Sequence, residues 1–81
     1  MRTIKRYSNR KLYDTSKSHY ITLQALADLV RQGEEIQVIE NNGGRDITAA
    51  TLAQIVFEEE KRAPRLPVVG LCRIIQTGQI P

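Results

Sequence analysis

Apolar and polar positions alternate at the amino end. Residues 3–7 read Thr-Ile-Lys-Arg-Tyr and residues 11–15 read Lys-Leu-Tyr-Asp-Thr, with a Ser8-Asn9-Arg10 bend between them. Their Thr, Ile and Tyr content predicts two short strands. Alternation puts Ile4 and Arg6 on one face of the first strand and Thr3, Lys5 and Tyr7 on the other. Ser16-Lys17-Ser18 predicts a turn, and His19-Tyr20-Ile21 a returning strand. The period then changes. Leu23, Leu26, Ala27 and Val30 recur at helical spacing, Leu29 widens the stripe, Thr22 is the expected N-cap and Gly33 the stop. Residues 35–40 alternate again, with Ile36 and Val38 on one side. Asn41-Asn42-Gly43-Gly44 tolerates positive φ and predicts a tight turn, with Arg45-Asp46-Ile47 as a short return strand. Asp46 or Thr48 caps a second helix that buries Leu52, Ile55 and Val56, and Glu58 paired to Arg62 supports its solvated tail. Ala63-Pro64-Arg65-Leu66-Pro67 breaks the pattern. A last helix over residues 68–76 follows, with Leu71, Ile74 and Ile75 as its apolar positions and Gly78 after it.

The sum is a small α+β domain: a basic N-terminal β-ribbon, a helix, a β-hairpin, a second helix and a short C-terminal helix. Residues 1–62 form the expected working domain, and residues 63–81 a linker and short helix suited to oligomerisation. With 81 residues there is room for one core, which is marginal for a lone copy. A homodimer or tetramer is one remedy. The single cysteine, Cys72, fits a reducing compartment and is expected as a small buried hydrophobe. No signal peptide and no transmembrane-length apolar run is visible, so the chain reads as cytoplasmic.

Charge changes the picture. Residues 1–17 hold six cations against one carboxylate, a net of +5. Residues 28–60 hold two cations against eight acids, a net of −6, and residues 61–81 add four cations. The overall +3 therefore hides a basic–acidic–basic layout. It suggests one face for a polyanion and an acidic face that is solvated or meets a basic patch on another copy.

The first block also carries recognition chemistry. Phosphates need cations, whereas base edges need forked donors and amides. Arg6 and Arg10 suit guanine, Asn9 suits adenine, and Lys5, Lys11 and Lys17 suit phosphates. A two-stranded ribbon fits the major groove. Tyr7 and Tyr13 are expected to pack over the helices, and the competing reading has the arginines bridging to the acidic block. Catalysis and metal binding find little support. One His and one Cys assemble no cluster, Glu58-Glu59-Glu60 does not converge around a helix end, and Asn42-Gly43-Gly44 lacks the Lys-Ser/Thr of a phosphate loop. His19 is expected at the surface or beside DNA backbone. No cofactor is implied.

The run from Ile4 through Thr15, then Ser18-His19-Tyr20-Ile21-Thr22-Leu23, resembles the N-terminal DNA-binding domain of bacterial polyhydroxyalkanoate synthesis regulators. The likeness continues through Leu29-Val30-Arg31-Gln32-Gly33, Val38, Asp46-Ile47-Thr48, Leu52-Ala53-Gln54-Ile55 and Glu58-Glu59-Glu60, about residues 3–60 in all. It implies a repressor that binds double-stranded DNA at promoters of polymer-synthesis and granule-protein genes and is released by polymer. DNA contact is carried over onto Lys5, Arg6, Asn9, Arg10 and Lys11. The turn Glu40-Asn41-Asn42-Gly43-Gly44 departs from the family's Asp-x-x-Thr-Gly and is expected to keep the hairpin. Family members continue into a separate polymer-associated segment. The alternatives are a protein–protein module, in which the ribbon meets an acidic surface, and a granule-surface module built on residues 66–75.

Overall fold

The computed structural model describes residues 1–78. Four strands form one sheet: β1 (Arg2–Arg6), β2 (Leu12–Asp14), β3 (His19–Ile21) and β4 (Ile36–Glu40), in the order β3-β2-β1-β4. Three helices complete the described residues: α1 (Leu23–Arg31) between β3 and β4, then α2 (Thr48–Arg62) and α3 (Val68–Thr77) after the last strand. The class is α+β, as expected.

The expected ribbon is not free. β1 pairs antiparallel with β2 and parallel with β4, and β2 pairs antiparallel with β3, so the basic hairpin is the middle of the sheet. The β1–β4 pairing needs a crossover, and α1 supplies it. The second hairpin shrinks to one bridge, Ile39 to Asp46, with no return strand. The Arg45 carbonyl accepts from Glu40 N–H at 2.9 Å, and the Ile47 N–H donates to the Val38 carbonyl at 2.8 Å. The Thr48 hydroxyl then accepts the Val38 N–H at 2.8 Å, which ends pairing and starts α2.

Ile4, Leu12 and Val38 point to one side of the sheet and are buried with Leu26, Ala27, Ile47 and Ile55. That is the helix-covered side. In α1, Thr22 caps as expected, its hydroxyl accepting Ala25 N–H at 3.0 Å. Gly33 (φ 89°) ends the helix, with its own N–H on Val30 and that of Glu34 on Leu29. This paired closure needs a left-handed residue at Gly33. Leu29 packs on the core, while Val30 sits at the exposed edge of the stripe.

Other expectations need correction. Val56 is exposed, and the position that turns inward is Thr51, whose hydroxyl donates to the Ile47 carbonyl at 2.8 Å. The residue preceding α2, Ile47, makes no side-chain cap. Asp46, one position earlier, accepts the Thr48 N–H at 2.9 Å and its hydroxyl at 2.7 Å, which holds the Asp46 carboxyl below its ordinary range. Glu58 pairs with Lys61 at 3.7 Å and not with Arg62. Cys72 is exposed, because α3 buries no residue. The linker before α3 is held by Glu60, whose carboxylate accepts the N–H groups of Arg65 (2.9 Å) and Leu66 (3.1 Å).

Candidate nucleic-acid interface

Strand parity sorts the amino-terminal cations into two groups. Even positions of β1 point with Ile4 toward the helices, and odd positions point away. Arg2 is on the helix side and is fully engaged. Its Nη2 donates to Asp14 Oδ2 at 2.9 Å, Nε to the same oxygen at 3.1 Å, and Nη1 to Glu34 Oε1 at 2.9 Å. Asp14 is buried, and burial alone would push its carboxyl up. The Arg2 guanidinium and the N–H groups of Ser16 and Lys17 outweigh that and hold it below the usual carboxylate range, while the two acids raise Arg2 further. Arg6 shares this face and reaches Glu40 at a long 3.4 Å. The expectation that the whole block faces outward therefore holds only for part of it. Two of its three arginines meet acids, Arg6 and Arg2 meeting the middle segment's Glu40 and Glu34.

The remaining cations form no ion pair among the described residues: Lys5, Arg10, Lys11 and Lys17. Lys5 stands on the helix-free face beside Tyr13. Arg10 and Lys11 occupy the tip of the β1–β2 hairpin. There the Tyr7 carbonyl accepts Arg10 N–H at 2.9 Å and the Tyr7 N–H donates to Lys11 at 3.0 Å. Arg10 takes a left-handed backbone (φ 68°), a conformation that glycine or asparagine adopts more readily. Asn9 steadies the bend, its Oδ1 accepting the Lys11 N–H at 3.1 Å. That carbonyl oxygen is thus used inside the turn, and the amide nitrogen is the end left for an outside acceptor. Arg6, Arg10 and Lys11 line one cleft of about 550 Å³ with Thr22 and Leu23 of the α1 start and Thr51 and Gln54 of α2. Lys17 lies in the β2–β3 turn, at the opposite end of the sheet.

The tyrosines depart from the expected placement. Tyr7 and Tyr13 do not pack over the helices. Both sit on the helix-free face with Tyr20, and the three rings pack edge to face, with centroids 6.4, 6.1 and 5.2 Å apart. The Lys11 ammonium lies 5.6 Å from the Tyr20 ring centre. Parity with Ile4 and Leu12 carried the signal: once those mark the core side, every tyrosine falls opposite. His19 is exposed, as expected, and its Nδ1 lies 3.2 Å from the Tyr20 carbonyl. Among the described residues, no group of His, Cys, Asp and Glu is placed to hold a metal ion. No described helix is long and apolar enough to cross a membrane.

Against this geometry the comparisons are specific. The family model for the PHB/PHA accumulation regulator DNA-binding domain matches residues 3–63. The chain belongs to this family. The match takes in the sheet from Thr3 onward, α1 and α2, and stops before α3. The family is a DNA-binding regulator domain and not an enzyme family. An uncharacterized protein of Allochromatium vinosum is 49% identical over 59 residues, which are 73% of this chain and 39% of that protein. A Thiocystis violacea protein, described as uncharacterized and in the phbA 5′ region, is 46% identical over 59 residues, 73% of this chain and 43% of its own length. The chain thus spans about two-fifths of the length of these relatives. No solved structure matches it.

Proposed function

We propose that this regulator domain binds double-stranded DNA sequence-specifically through its amino-terminal hairpin and acts as a repressor of polyhydroxyalkanoate synthesis or granule-protein genes. The observation that carries the reading is the sorting of cations. Among the described residues seven cations lack a carboxylate partner, and four of them, Lys5, Arg10, Lys11 and Lys17, stand on the amino-terminal strands and turns, the others being Arg62, Arg65 and Arg73. Unpaired cations are the ones that release counterions from a phosphate backbone. Arg10, held out at the hairpin tip, is the proposed guanine reader, and the Asn9 amide nitrogen beside it the partner for a base acceptor. Lys5, Lys11 and Lys17 take phosphates. Arg6 joins them by exchanging its long contact with half-exposed Glu40 for a phosphate, a cheap exchange because such surface pairs contribute little. The Thiocystis relative's position in a phbA 5′ region supports a role near polymer genes. With that role the domain works in the cytoplasm.

The same proposal includes self-association. α3 exposes Val68, Val69 and Ile75, and α2 exposes Val56 and Phe57 nearby in the chain, which suits a dimer or tetramer. Two copies would then set two hairpins on a two-fold-related site, and linkage would multiply their affinities. Contact with polymer or the granule surface through residues 66–75 is the competing use of that helix. Selection of bound fragments from random duplexes at physiological salt tests the whole reading. An enriched inverted repeat is the expected result. A pool that stays random removes sequence-specific DNA binding and leaves a protein–protein or granule-surface module.

A further inference from the structure

Sheet register lays out the helix-free face in rows. Thr15, Thr3 and Gln37 make one row, Tyr20, Tyr13, Lys5 and Ile39 the next, and Lys11 and Tyr7 follow toward the hairpin tip. One carboxylate borders these rows: Asp46, bridged to Ile39 at the outer edge of β4 and bonded by Gln37 at 3.4 Å. All of the chain's tyrosines, three in number, are here, and Tyr20 is 57% exposed. No helix covers them. A face with this much aromatic area and two lysines is expensive to leave in water and complementary to a polyanion with apolar edges.

We infer that this tyrosine–lysine face, and not the hairpin tip alone, is a contact surface for duplex DNA, with the sheet lying face-on against the groove. The inference rests on the DNA-binding reading above and extends it to residues that reading does not use. Ring geometry chooses the duplex over unpaired strands. Stacking of a splayed base needs an open aromatic face. Here the interplanar angles of 86°, 60° and 78° turn the rings' edges into one another's faces, and Lys11 lies over Tyr20. What remains outward is a firm apolar ridge with phenol groups on it. Such a ridge meets sugars, thymine methyls and phosphate oxygens, which a duplex offers on its groove walls. Lys5 and Lys11 then reach phosphates from the same face.

The test uses the full chain and a mixed-sequence duplex of about 20 base pairs at low salt, where sequence-independent binding is strong. Protein labelled with 3-fluorotyrosine gives three fluorine resonances, one for each tyrosine and all from this face. Shifts of these resonances on titration with duplex, larger than with either single strand, are expected. Tyr20→Ala is expected to weaken duplex binding about tenfold, with Tyr20→Phe between it and wild type. Because tyrosine is neutral, Tyr20→Ala leaves the salt dependence unchanged, whereas Lys5→Ala makes it shallower by about one unit. Circular dichroism of each variant confirms that this exposed position leaves the fold intact. Duplex binding with unmoved fluorine resonances and an unaffected Tyr20→Ala overturns the face and spares the hairpin. Tighter binding to single strands than to duplex overturns the inference in favour of base stacking. No binding of wild type to any DNA overturns both this face and the proposed function.

Discussion

Replacing the unpaired cations one at a time should change how steeply binding falls with salt. Each cation that neutralises a phosphate releases counterions, and the slope of log K against log salt is about −0.9 per contact on B-form DNA. On the amino-terminal surface Lys5, Arg10, Lys11 and Lys17 have no carboxylate partner, so it offers four cations that displace counterions, at a phosphate or in the groove, before any ion pair is broken. Four contacts give a slope of about −3.6, or a loss of about 150-fold in affinity between ~50 and ~200 mM salt. Alanine at any one of them lowers the slope to about −2.7 and the loss to about 40-fold. Arg62→Ala, at the far end of α2, is the control and leaves the slope as it was. Arg6→Ala reads a separate question. If Glu40 surrenders its partner to DNA, wild type has a fifth contact and this variant loses it. If the pair survives, the slope stays. Fluorescence anisotropy across a salt series measures all of these on one duplex. Slopes that ignore Lys5, Arg10, Lys11 and Lys17 while responding to Arg62 would refute the assignment of the surface.

Further outcomes follow from the charge and backbone arrangement. Asp14→Ala removes a buried carboxylate that holds Arg2 and the Ser16 N–H, and should cost about 2–3 kcal/mol, or roughly 10–20 °C in melting temperature for a domain this size. Because the Asp14 and Asp46 carboxyls lie below their unfolded values, the stability they confer is complete above about pH 4 and is lost as pH falls through the lowered folded values. Acid titration followed by circular dichroism should show the midpoint of Asp14→Asn less dependent on pH than that of wild type. Gly33→Ala forces a side chain into a left-handed C-cap and should cost about 1–2 kcal/mol in chemical denaturation. Val69→Asp with Ile75→Asp should shift sedimentation toward the monomer and lower duplex affinity without shortening the salt slope of each copy. Unchanged sedimentation would take α3 out of the self-association.

Local chemistry was legible where it is set by neighbours in the chain. Thr22 and Gly33 bracket α1 because a hydroxyl beside free N–H groups and a residue without Cβ are local requirements. The bend at Ser8-Asn9-Arg10 and the alternation of β1 were readable for the same reason. Pairing of β1 with β4 was not, since the two strands are about thirty residues apart and neither names its partner. That pairing turns the ribbon into a sheet and carries Glu40 beside Arg6. Arg2 illustrates the same gap, because its acids come from β2 and from the loop after α1. The tyrosine positions are obscured in the sequence for a different reason. Large rings are weighted toward burial on their own merits, yet Ile4, Leu12 and Val38 had already claimed the inner positions. The exposure of Val56 and Cys72 has no local signature, because an amphipathic helix looks alike whether its apolar face meets its own domain or another copy.

Chemical-shift mapping of the uniformly labelled chain, titrated with duplex, tests the central claim most directly. The account predicts perturbations concentrated at residues 5–13, 17 and 20, on the hairpin tip, the β2–β3 turn and the helix-free face. Perturbations concentrated on α1, α2 or α3, with the tip and the tyrosine face silent, would contradict it.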